Sequence, residues 1–230
     1  MLSRRPALSI VMPALNEAQH ISAPLQALQA FRKEAVEIIV ADGGSEDGTA
    51  AVAAALADKV IAAPRGRAPQ MNAGAAVAAG DALLFLHADT RLPGNACTLI
   101  AQALQHNDWG RFNVSIEGRS RWLPLVAGMM NLRSRLSGIA TGDQAMFVTR
   151  AAFDAVGGFP EQPLMEDIEL SRRLKRIGKP ACLRETVSTS GRRWDRDGAW
   201  RTILLMWRLR FDYWRGEPAS RLAQRYYPDA

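Results

Sequence analysis

Acidic side chains that follow predicted strands are the first candidates for chemistry in this sequence. The stretch Asp81–Thr90 holds a continuous apolar run, Ala82–Leu86, and then changes to His87-Ala88-Asp89-Thr90. Such a run is typical of a strand buried on both faces of a parallel sheet. Ligands bind at the carboxyl ends of strands in open α/β sheets, so Asp89 would lie where a divalent cation and a phosphate could meet. A helix cap or a turn is the alternative role for this aspartate.

Further charged and polar groups follow the other predicted strands of the first half. Short strands are predicted at Leu8–Met12, Glu37–Ala41 and Lys59–Ala62, each before a segment with helical apolar spacing. Because the carboxyl ends of parallel strands share one edge of a sheet, the side chains that follow them should lie together. Acids there could hydrogen-bond a base and a ribose, and arginine could neutralise phosphate. Besides Asp89, the residues concerned are Asn16, Glu17, Asp42, Arg65 and Arg67.

Strand–helix alternation is the strongest indication of the fold. Four alternations within roughly ninety residues predict a parallel α/β sheet. Later strands are expected over residues 109–116, 145–149 and 181–187, and the main helices over residues 21–31, 49–57, 71–79, 95–105, 121–136, 150–156, 166–177 and 199–214. Neither a repeat nor a linker interrupts this order. The sequence therefore predicts one domain over residues 1–230, in which residues 190–230 form a basic helical extension rich in Trp and Arg.

Composition places the chain among ordinary globular proteins, with 230 residues that are 48% apolar and 23% charged. Its cysteines, Cys97 and Cys182, exclude a disulfide framework or a zinc-ligand spacing and favour a reduced cytoplasmic setting. No run approaches the roughly 18–20 apolar residues that span a bilayer. In Met1–Leu15, two arginines precede an apolar run, but the run is short and Pro13 breaks it. A first core strand is expected there instead of a signal peptide.

The positive charge is concentrated near the C-terminus. The whole chain has a net charge of +6, and residues 184–225 contain ten arginines and five acids. The rest of the chain is therefore close to neutral, which argues against a nucleic-acid track along the domain.

Four short motifs occur in a fixed order along the chain, and together they resemble those of a known family. They are Ser9–Glu17, Val40–Thr49, Asn72-Ala73-Gly74 with Leu84–Asp89, and Met165-Glu166-Asp167. Together they resemble the ordered motifs of glycosyltransferase family 2, over about Leu8 to Lys179. The run Gly142–Phe147 and His87 are more similar to a small bacterial branch of that family, the glycosyltransferases associated with selenium or radical-SAM genes.

The resemblance implies a GT-A fold, with a mostly parallel central sheet flanked by helices. It implies an inverting hexosyltransferase that uses a nucleotide-diphosphate sugar, usually UDP-linked, and a small-molecule or lipid-linked hydroxyl acceptor. Asp89 would hold Mn²⁺ or Mg²⁺, and Asp167 would deprotonate the acceptor, with Glu166 beside it as the competing base. The implied positions for donor or acceptor are Pro13, Ala14, Asn16, Glu17, Asp42, Gly44, Arg65, Gln70, Asn72, Ala88, Asp143, Arg193 and Trp194.

Some of these residues have simpler explanations. Glu166 and Asp167 could be acids favoured at a helix N-terminus, and Asp143 a turn residue. The family's metal motif is usually Asp-x-Asp, whereas this chain has His87 at the first position. We expect His87 to hold a metal ligand in place without binding the metal itself, to bind the metal weakly, or to pack against its neighbours. The replacement of Asp by His at this position allows a weaker dependence of the activity on the metal.

The segment Ala199–Arg215 has three open interpretations. It could pack on the core or form a homodimer interface, it could lie as a basic amphipathic helix on an anionic membrane, or it could contact the acceptor. The second would place a cytoplasmic protein on the inner face of the membrane. Just before it, Arg192 or Arg193 could neutralise phosphate, and Trp194 could stack on a sugar.

Two rival functions remain at this point. A nucleotidyltransferase would need a glycine-rich, lysine-containing loop after the first strand, and Pro13–Glu17 has neither residue type. A nucleotide-sugar- or polyanion-binding module without activity is the other rival, and His87 is the feature that favours it.

Overall fold

The computed structural model describes residues 6–227, so Arg4 and Arg5, the two arginines before the N-terminal apolar run, lie outside the described residues. Within that range one sheet contains eight strands: β1 (Leu8–Ala14), β2 (Val36–Asp42), β3 (Lys59–Ala62), β4 (Ala82–Phe85), β5 (Thr90–Arg91), β6 (Trp109–Glu117), β7 (Phe147–Thr149) and β8 (Ala181–Ser190). Their order is β3-β2-β1-β4-β7-β6-β8-β5. Only β7 and β5 run against the other strands of the described chain. The predicted α/β architecture with a mostly parallel sheet is confirmed.

Helices cover the sheet. They are α1 (Ser22–Leu28), α2 (Thr49–Ala54), α3 (Arg67–Val77), α4 (Ala96–Ala103), α5 (Leu123–Ser137), α6 (Arg150–Ala155), α7 (Glu166–Leu174), α8 (Arg192–Asp197), α9 (Ala199–Trp214) and α10 (Ala219–Tyr226). Short 3₁₀ turns cover Gln29–Glu34 and Gly142–Gln144. None of the helices within residues 6–227 is both long and apolar enough to cross a membrane.

The continuous apolar runs of the central strands result from burial on both faces. In β1, Ile10 and Met12 pack with one cluster of core residues, whereas Val11 between them packs with a second cluster on the opposite face. On that second face α3 lies close to the sheet. A Cβ on Gly74 would come within 2.4 Å of Val11 Cγ1, so only glycine allows this approach.

Four elements differ from the sequence expectations. The helix α3 begins at Arg67, four residues before the predicted start at Met71, because Pro69 falls in its first turn, where proline is tolerated. The strand β5 and the helix α10 were not predicted, and Arg192–Asp197 is a helix instead of a loop. Three of these differences, at α3, α8 and α10, bring side chains to the carboxyl edge of the sheet.

Candidate functional site

A cleft of about 470 Å³ lies at the carboxyl ends of β1 and β4, and we call it the main cleft. Its lining comes from the sheet edge, from α3 and the loop before it, and from the segments around α8 and α10. Sequence-predicted residues make up a large part of the lining. They are Pro13, Ala14, Glu17, Arg65, Gln70, Ala88, Asp89, Asp143, Arg193 and Trp194.

Asp89 lies in the main cleft next to the start of β5. Its Oδ1 atom accepts long hydrogen bonds from the hydroxyls of Thr90 (3.5 Å) and Thr189 (3.4 Å). The guanidinium of Arg192 bridges two carboxylates, with Nη2 3.5 Å from Asp89 Oδ2 and 3.2 Å from Glu17 Oε2. Two carboxylates of the cleft therefore share one guanidinium at the position where the sequence predicted a metal and a diphosphate.

The donor set around Asp89 fits a divalent cation that is shared with phosphate. Among residues 6–227, no group of three or more His, Cys, Asp or Glu side chains is arranged to hold a metal, so the described chain offers no complete protein cage. Mg²⁺ in such sites commonly binds one or two carboxylates and completes its shell with water and substrate phosphates. Asp89, with about a quarter of its side chain exposed, fits that pattern.

A second cavity of about 360 Å³ adjoins the main cleft, and we call it the apolar cavity. Its walls come from α5 and α9, with mostly aliphatic, methionine and tryptophan side chains, and the N-terminus of α7 contributes Glu166 and Asp167. Met165, directly before this pair, has a left-handed backbone (φ 65°), a conformation that costs a non-glycine residue about 1–2 kcal/mol. The strained backbone at Met165 thus helps to orient Glu166 and Asp167 at the beginning of α7.

The two acids of α7 differ in how they are held. Asp167 Oδ2 accepts the backbone N–H of Gly142 (2.9 Å) and Oδ1 accepts the N–H of Ile168 (2.7 Å). Glu166 is almost fully buried. Burial raises the pKa of both carboxyls above their ordinary values, and the charge of Asp167 further raises the pKa of Glu166. A carboxylate with a raised pKa, fixed by backbone donors, is suited to accept a proton.

His87 joins the two cavities, and it does so through Asp143. Its Nδ1 atom lies 3.3 Å from Asp143 Oδ1, and both residues line both cavities. Although the surrounding protein disfavours the charge, His87, Arg67 and Arg193 hold the pKa of Asp143 below its usual value. The ring of His87 also packs on Gly142, where a Cβ would come within 2.5 Å of Nε2. His87 is therefore a partner of Asp143 in this structure.

Of the residues predicted to contact the donor or acceptor, four lie outside the lining of the main cleft: Asn16, Asp42, Gly44 and Asn72. Asp42 is buried and accepts the N–H groups of Gly44 (3.2 Å) and Ser45 (3.0 Å), which closes the glycine turn. Asn16 accepts the N–H of Glu46, and Asn72 pairs with both backbone groups of Phe159. These side chains position loops around the cleft.

Gln70 lines the cleft and also holds its floor together. Its buried amide donates to the carbonyls of Ala14 (2.7 Å) and Ala41 (2.8 Å), which links the carboxyl ends of β1 and β2.

The structure also brings in Tyr226 of α10, which had no assigned role and lines both cavities. Arg67, expected only at the phosphate edge, lies in the first turn of α3 and also lines both cavities. The guanidinium of Arg193 stacks 3.6 Å above the Tyr226 ring. The apolar residues Leu222, Ala223 and Tyr226 follow Pro218 at helical spacing, which could have predicted α10. This pattern does not predict that α10 lines the cleft.

Comparison with known proteins agrees with this geometry. The model of the family described as glycosyl transferase family 2 matches residues 9–154, more than half of the chain. The chain belongs to this family. The match includes β1 to α6 and therefore Asp89 and His87, whereas α7 with Glu166 and Asp167 lies beyond its end. A search of curated proteins gave no match.

Solved glycosyltransferase structures share the GT-A fold of this family 2 chain. Staphylococcus aureus TarS residues 1–349 in complex with UDP-GlcNAc is 18% identical, with a TM-score of 0.65 over 80% of this chain and 58% of that chain. The mannosyltransferase PcManGT from Pyrobaculum calidifontis, in complex with GDP-Man and Mn²⁺, is 21% identical, with a TM-score of 0.62 over 80% and 57%.

A third similar structure is glucosyl-3-phosphoglycerate synthase from Mycobacterium tuberculosis, in complex with Mn²⁺, UDP and glucosyl-3-phosphoglycerate. It is 21% identical, with a TM-score of 0.58 over 80% of this chain and 71% of that chain. At such identities the similarity concerns the fold. This chain spans about three fifths of the length of the TarS and PcManGT chains.

Proposed function

We propose that this protein is a glycosyltransferase that moves a sugar from a nucleotide-diphosphate sugar to a hydroxyl acceptor. One observation carries the proposal: a polar cleft with Asp89 and arginines adjoins a cavity that holds the Glu166–Asp167 pair, and His87 and Asp143 line both. A donor in the main cleft would thus present its sugar toward an acceptor beside the acid pair.

The proposed step is a direct displacement at the anomeric carbon. The acceptor oxygen forms a new bond to that carbon on the face opposite the leaving group, while the bond from the carbon to the diphosphate oxygen breaks. The acceptor proton passes to Asp167, and the nucleoside diphosphate leaves with the bonding electrons. Such a displacement inverts the configuration and needs one positioned base.

Charge on the leaving diphosphate would be balanced in the main cleft. Arg65, Arg67 and Arg193 line the cleft, and Arg192 contacts the carboxylates of Glu17 and Asp89. Guanidinium groups suit phosphate oxygens. Asp89 would hold Mn²⁺ or Mg²⁺ together with the donor phosphates, and a cation bound there supplies Lewis-acid stabilisation of the leaving group. The metal-bound and nucleotide-bound complexes of TarS, PcManGT and glucosyl-3-phosphoglycerate synthase support these donor and metal classes.

The finer parts of the proposal come from the sequence. They are a UDP-linked hexose donor, one catalytic domain over residues 1–230, a place in the selenium- or radical-SAM-associated branch, and a cytoplasmic location. The motif with His87 and the run Gly142–Phe147 support the branch.

Slow hydrolysis of the donor, with water in place of the acceptor, tests the roles of the acid pair. We expect Asp167→Asn to lower hydrolysis of UDP-glucose or UDP-GlcNAc by about a hundredfold or more, because general-base catalysis typically contributes that much. Affinity for UDP should stay unchanged, since Asp167 does not line the main cleft.

Glu169→Gln is the matched control, because Glu169 lies on the same helix and pairs with Arg172 and Arg173 on its surface. Full hydrolysis in Asp167→Asn together with loss in Glu166→Gln would move the base to Glu166. Full hydrolysis in both variants, with UDP still bound, would leave a nucleotide-sugar-binding module and contradict the proposed mechanism.

A further inference from the structure

Large apolar side chains are exposed on two helices of this protein in a regular pattern. On α5 they are Leu125, Met129, Leu132 and Leu136, and on α9 they are Trp200, Leu204, Trp207, Phe211 and Trp214. Their spacing alternates between three and four residues, which places each set along one face of its helix. Nine of the twelve large apolar residues exposed within residues 6–227 belong to these two faces, so the pattern is not scattered surface hydrophobicity.

The two faces adjoin each other and the apolar cavity. The rings of Trp122 and Trp200, at the beginnings of α5 and α9, lie 5.0 Å apart. Met129 and Trp207 are members of the exposed faces and also line the apolar cavity. We call the combined exposed surface of α5 and α9 the α5–α9 face. The cavity that contains Glu166 and Asp167 opens on this face.

Positive charge surrounds the apolar residues. Segments 119–137 and 199–215 contain eight arginines and one aspartate, a net charge of +7, whereas the whole chain carries +6. Six of the eight arginines are exposed. In a twofold-symmetric dimer formed through this face, the net charge of +7 on one copy would oppose the same charge on the other. An anionic bilayer surface instead complements the charge. Exposed tryptophans flanked by arginines also suit the interface between lipid head groups and acyl chains.

Arg133 lines the apolar cavity, and the two terminal nitrogens of its guanidinium have no hydrogen-bond partner within residues 6–227. Both Nη1 and Nη2 of Arg133 are buried, and neither has an acceptor among the described residues. Burial lowers the pKa of Arg133, and the nearby charge of Asp167 acts in the opposite direction. A buried guanidinium with free donors matches an anionic group such as a phosphate, which accepts two parallel hydrogen bonds.

We propose that the α5–α9 face docks on an anionic lipid bilayer and that the acceptor is an anionic lipid, held with its apolar chain in the apolar cavity and its anionic group on Arg133. This inference rests on the proposed function for the identity of the acceptor, but the docking itself does not depend on it. The membrane is then the source of the acceptor, and the acceptor reaches Asp167 through the α5–α9 face.

Co-sedimentation with vesicles tests the docking. The chain should bind phosphatidylcholine vesicles that contain phosphatidylglycerol and should bind pure phosphatidylcholine vesicles much more weakly, and added salt should weaken the binding. The double variants Phe211→Ser/Trp214→Ser and Arg201→Glu/Arg208→Glu should each lower the vesicle affinity by about tenfold or more. None of these four residues lines either cavity, so their UDP affinity should match that of the parent.

The matched controls are substitutions of the same kinds at exposed positions outside the α5–α9 face. Ile177→Ser removes an exposed apolar side chain, and Lys33→Glu/Lys179→Glu reverses two exposed charges, and both should keep the parental vesicle affinity. Equal binding to both kinds of vesicle, or binding unchanged in both face variants, would overturn the docking. A parent that is dimeric, that becomes monomeric in Phe211→Ser/Trp214→Ser and that ignores vesicles would assign the face to a second copy instead.

The change in tryptophan fluorescence on titration with dodecyl phosphate tests the acceptor site, since Trp194 and Trp207 line the cavity. Dodecyl phosphate should bind at least about tenfold more tightly than dodecanol, inorganic phosphate should leave the fluorescence unchanged, and Arg133→Gln should abolish the preference for the phosphate. Equal binding of dodecanol and dodecyl phosphate by the parent would contradict the role of Arg133. Vesicle binding without any UDP binding would refute the proposed function and leave the docking intact.

Discussion

The Glu166–Asp167 pair shows how backbone placement turns ordinary carboxyls into a candidate base. Two neighbouring acids at a helix N-terminus are common, and the sequence alone could not separate that role from catalysis. In the structure Asp167 accepts two backbone N–H groups, and both acids line a cavity together with His87 and several arginines. Burial, which no sequence motif reports, distinguishes them from surface acids.

The pH dependence of donor hydrolysis follows from the raised pKa of this pair. Because the base must be deprotonated, the rate should fall as the pH drops through a pKa above the ordinary carboxyl range. Glu166→Gln removes one of two neighbouring negative charges, so the acidic limb of the pH–rate profile should move to lower pH. An unchanged limb in Glu166→Gln would show that the pair does not titrate together.

Gly142 offers a second test because two features of the site depend on it. Its N–H binds Asp167, and a Cβ would come within 2.5–2.7 Å of two atoms of the His87 ring. We expect Gly142→Ala to lower the free energy of unfolding by about 1–3 kcal/mol, measured by urea denaturation, because the ring must move. Gly94→Ala, where an added Cβ meets nothing within 4 Å, is the control.

A double-mutant cycle separates this clash from a general backbone effect. If the ring is the obstacle, His87→Ala should remove much of the cost of Gly142→Ala, with a coupling energy of about 1 kcal/mol or more. Additive losses in the double variant would place the strain elsewhere.

Single residues were predictable from sequence only in part. Asp89, Glu17 and Arg65 line the main cleft as their positions after strands suggested. Asp42 and Asn72 follow or flank the same elements, yet their side chains bind the backbone of turns. Whether a polar side chain faces a ligand or its own loop depends on φ and ψ at a few residues, which spacing does not encode. His87 illustrates the same point, because its partner, Asp143, is 56 residues away.

The positions of the helices and strands agreed with the sequence-based predictions more closely than the roles of single residues did, because burial determines the apolar pattern of each element. Every predicted strand is present, since two-sided burial demands apolar runs of this kind. The helix α10 escaped prediction because it is short, largely exposed and attached to the rest of the protein by few residues. Its buried residues, Leu222 and Tyr226, join a separate small core with Leu164, Met165 and Ile168 at the beginning of α7.

Leu222→Ala tests the contribution of α10 to the site. The side chain is fully buried, so the change should lower the free energy of unfolding by about 2–5 kcal/mol in urea denaturation. Hydrogen exchange should also accelerate in α10 and at the beginning of α7, because both share the small core. Leu136→Ala, at a leucine that is 79% exposed, is the matched control and should change stability little. Equal effects of the two variants would mean that α10 does not support the acid pair.

At the level of the whole molecule, one sheet organises two cavities with different chemistry. The first half of the chain contributes most of the polar edge, and α5, α7 and α9 add the apolar cavity and the α5–α9 face. The charge distribution follows the same division, since segments 119–137 and 199–215 carry the excess arginine. The excess near the C-terminus was predictable from the sequence, but its continuation on α5 was not, because only the fold brings the two segments together.

Calorimetric titration of UDP into the parent protein, with and without Mn²⁺, tests whether the main cleft binds a nucleoside diphosphate together with a metal on Asp89. We predict that UDP binds in the presence of Mn²⁺ and that Asp89→Ala weakens this binding by about tenfold or more, as loss of a metal ligand should. Asp154→Ala, at an exposed acid on α6, should bind UDP as the parent does. No binding of UDP, GDP or dTDP by the parent under either condition, or full Mn²⁺-dependent binding in Asp89→Ala, would contradict the account.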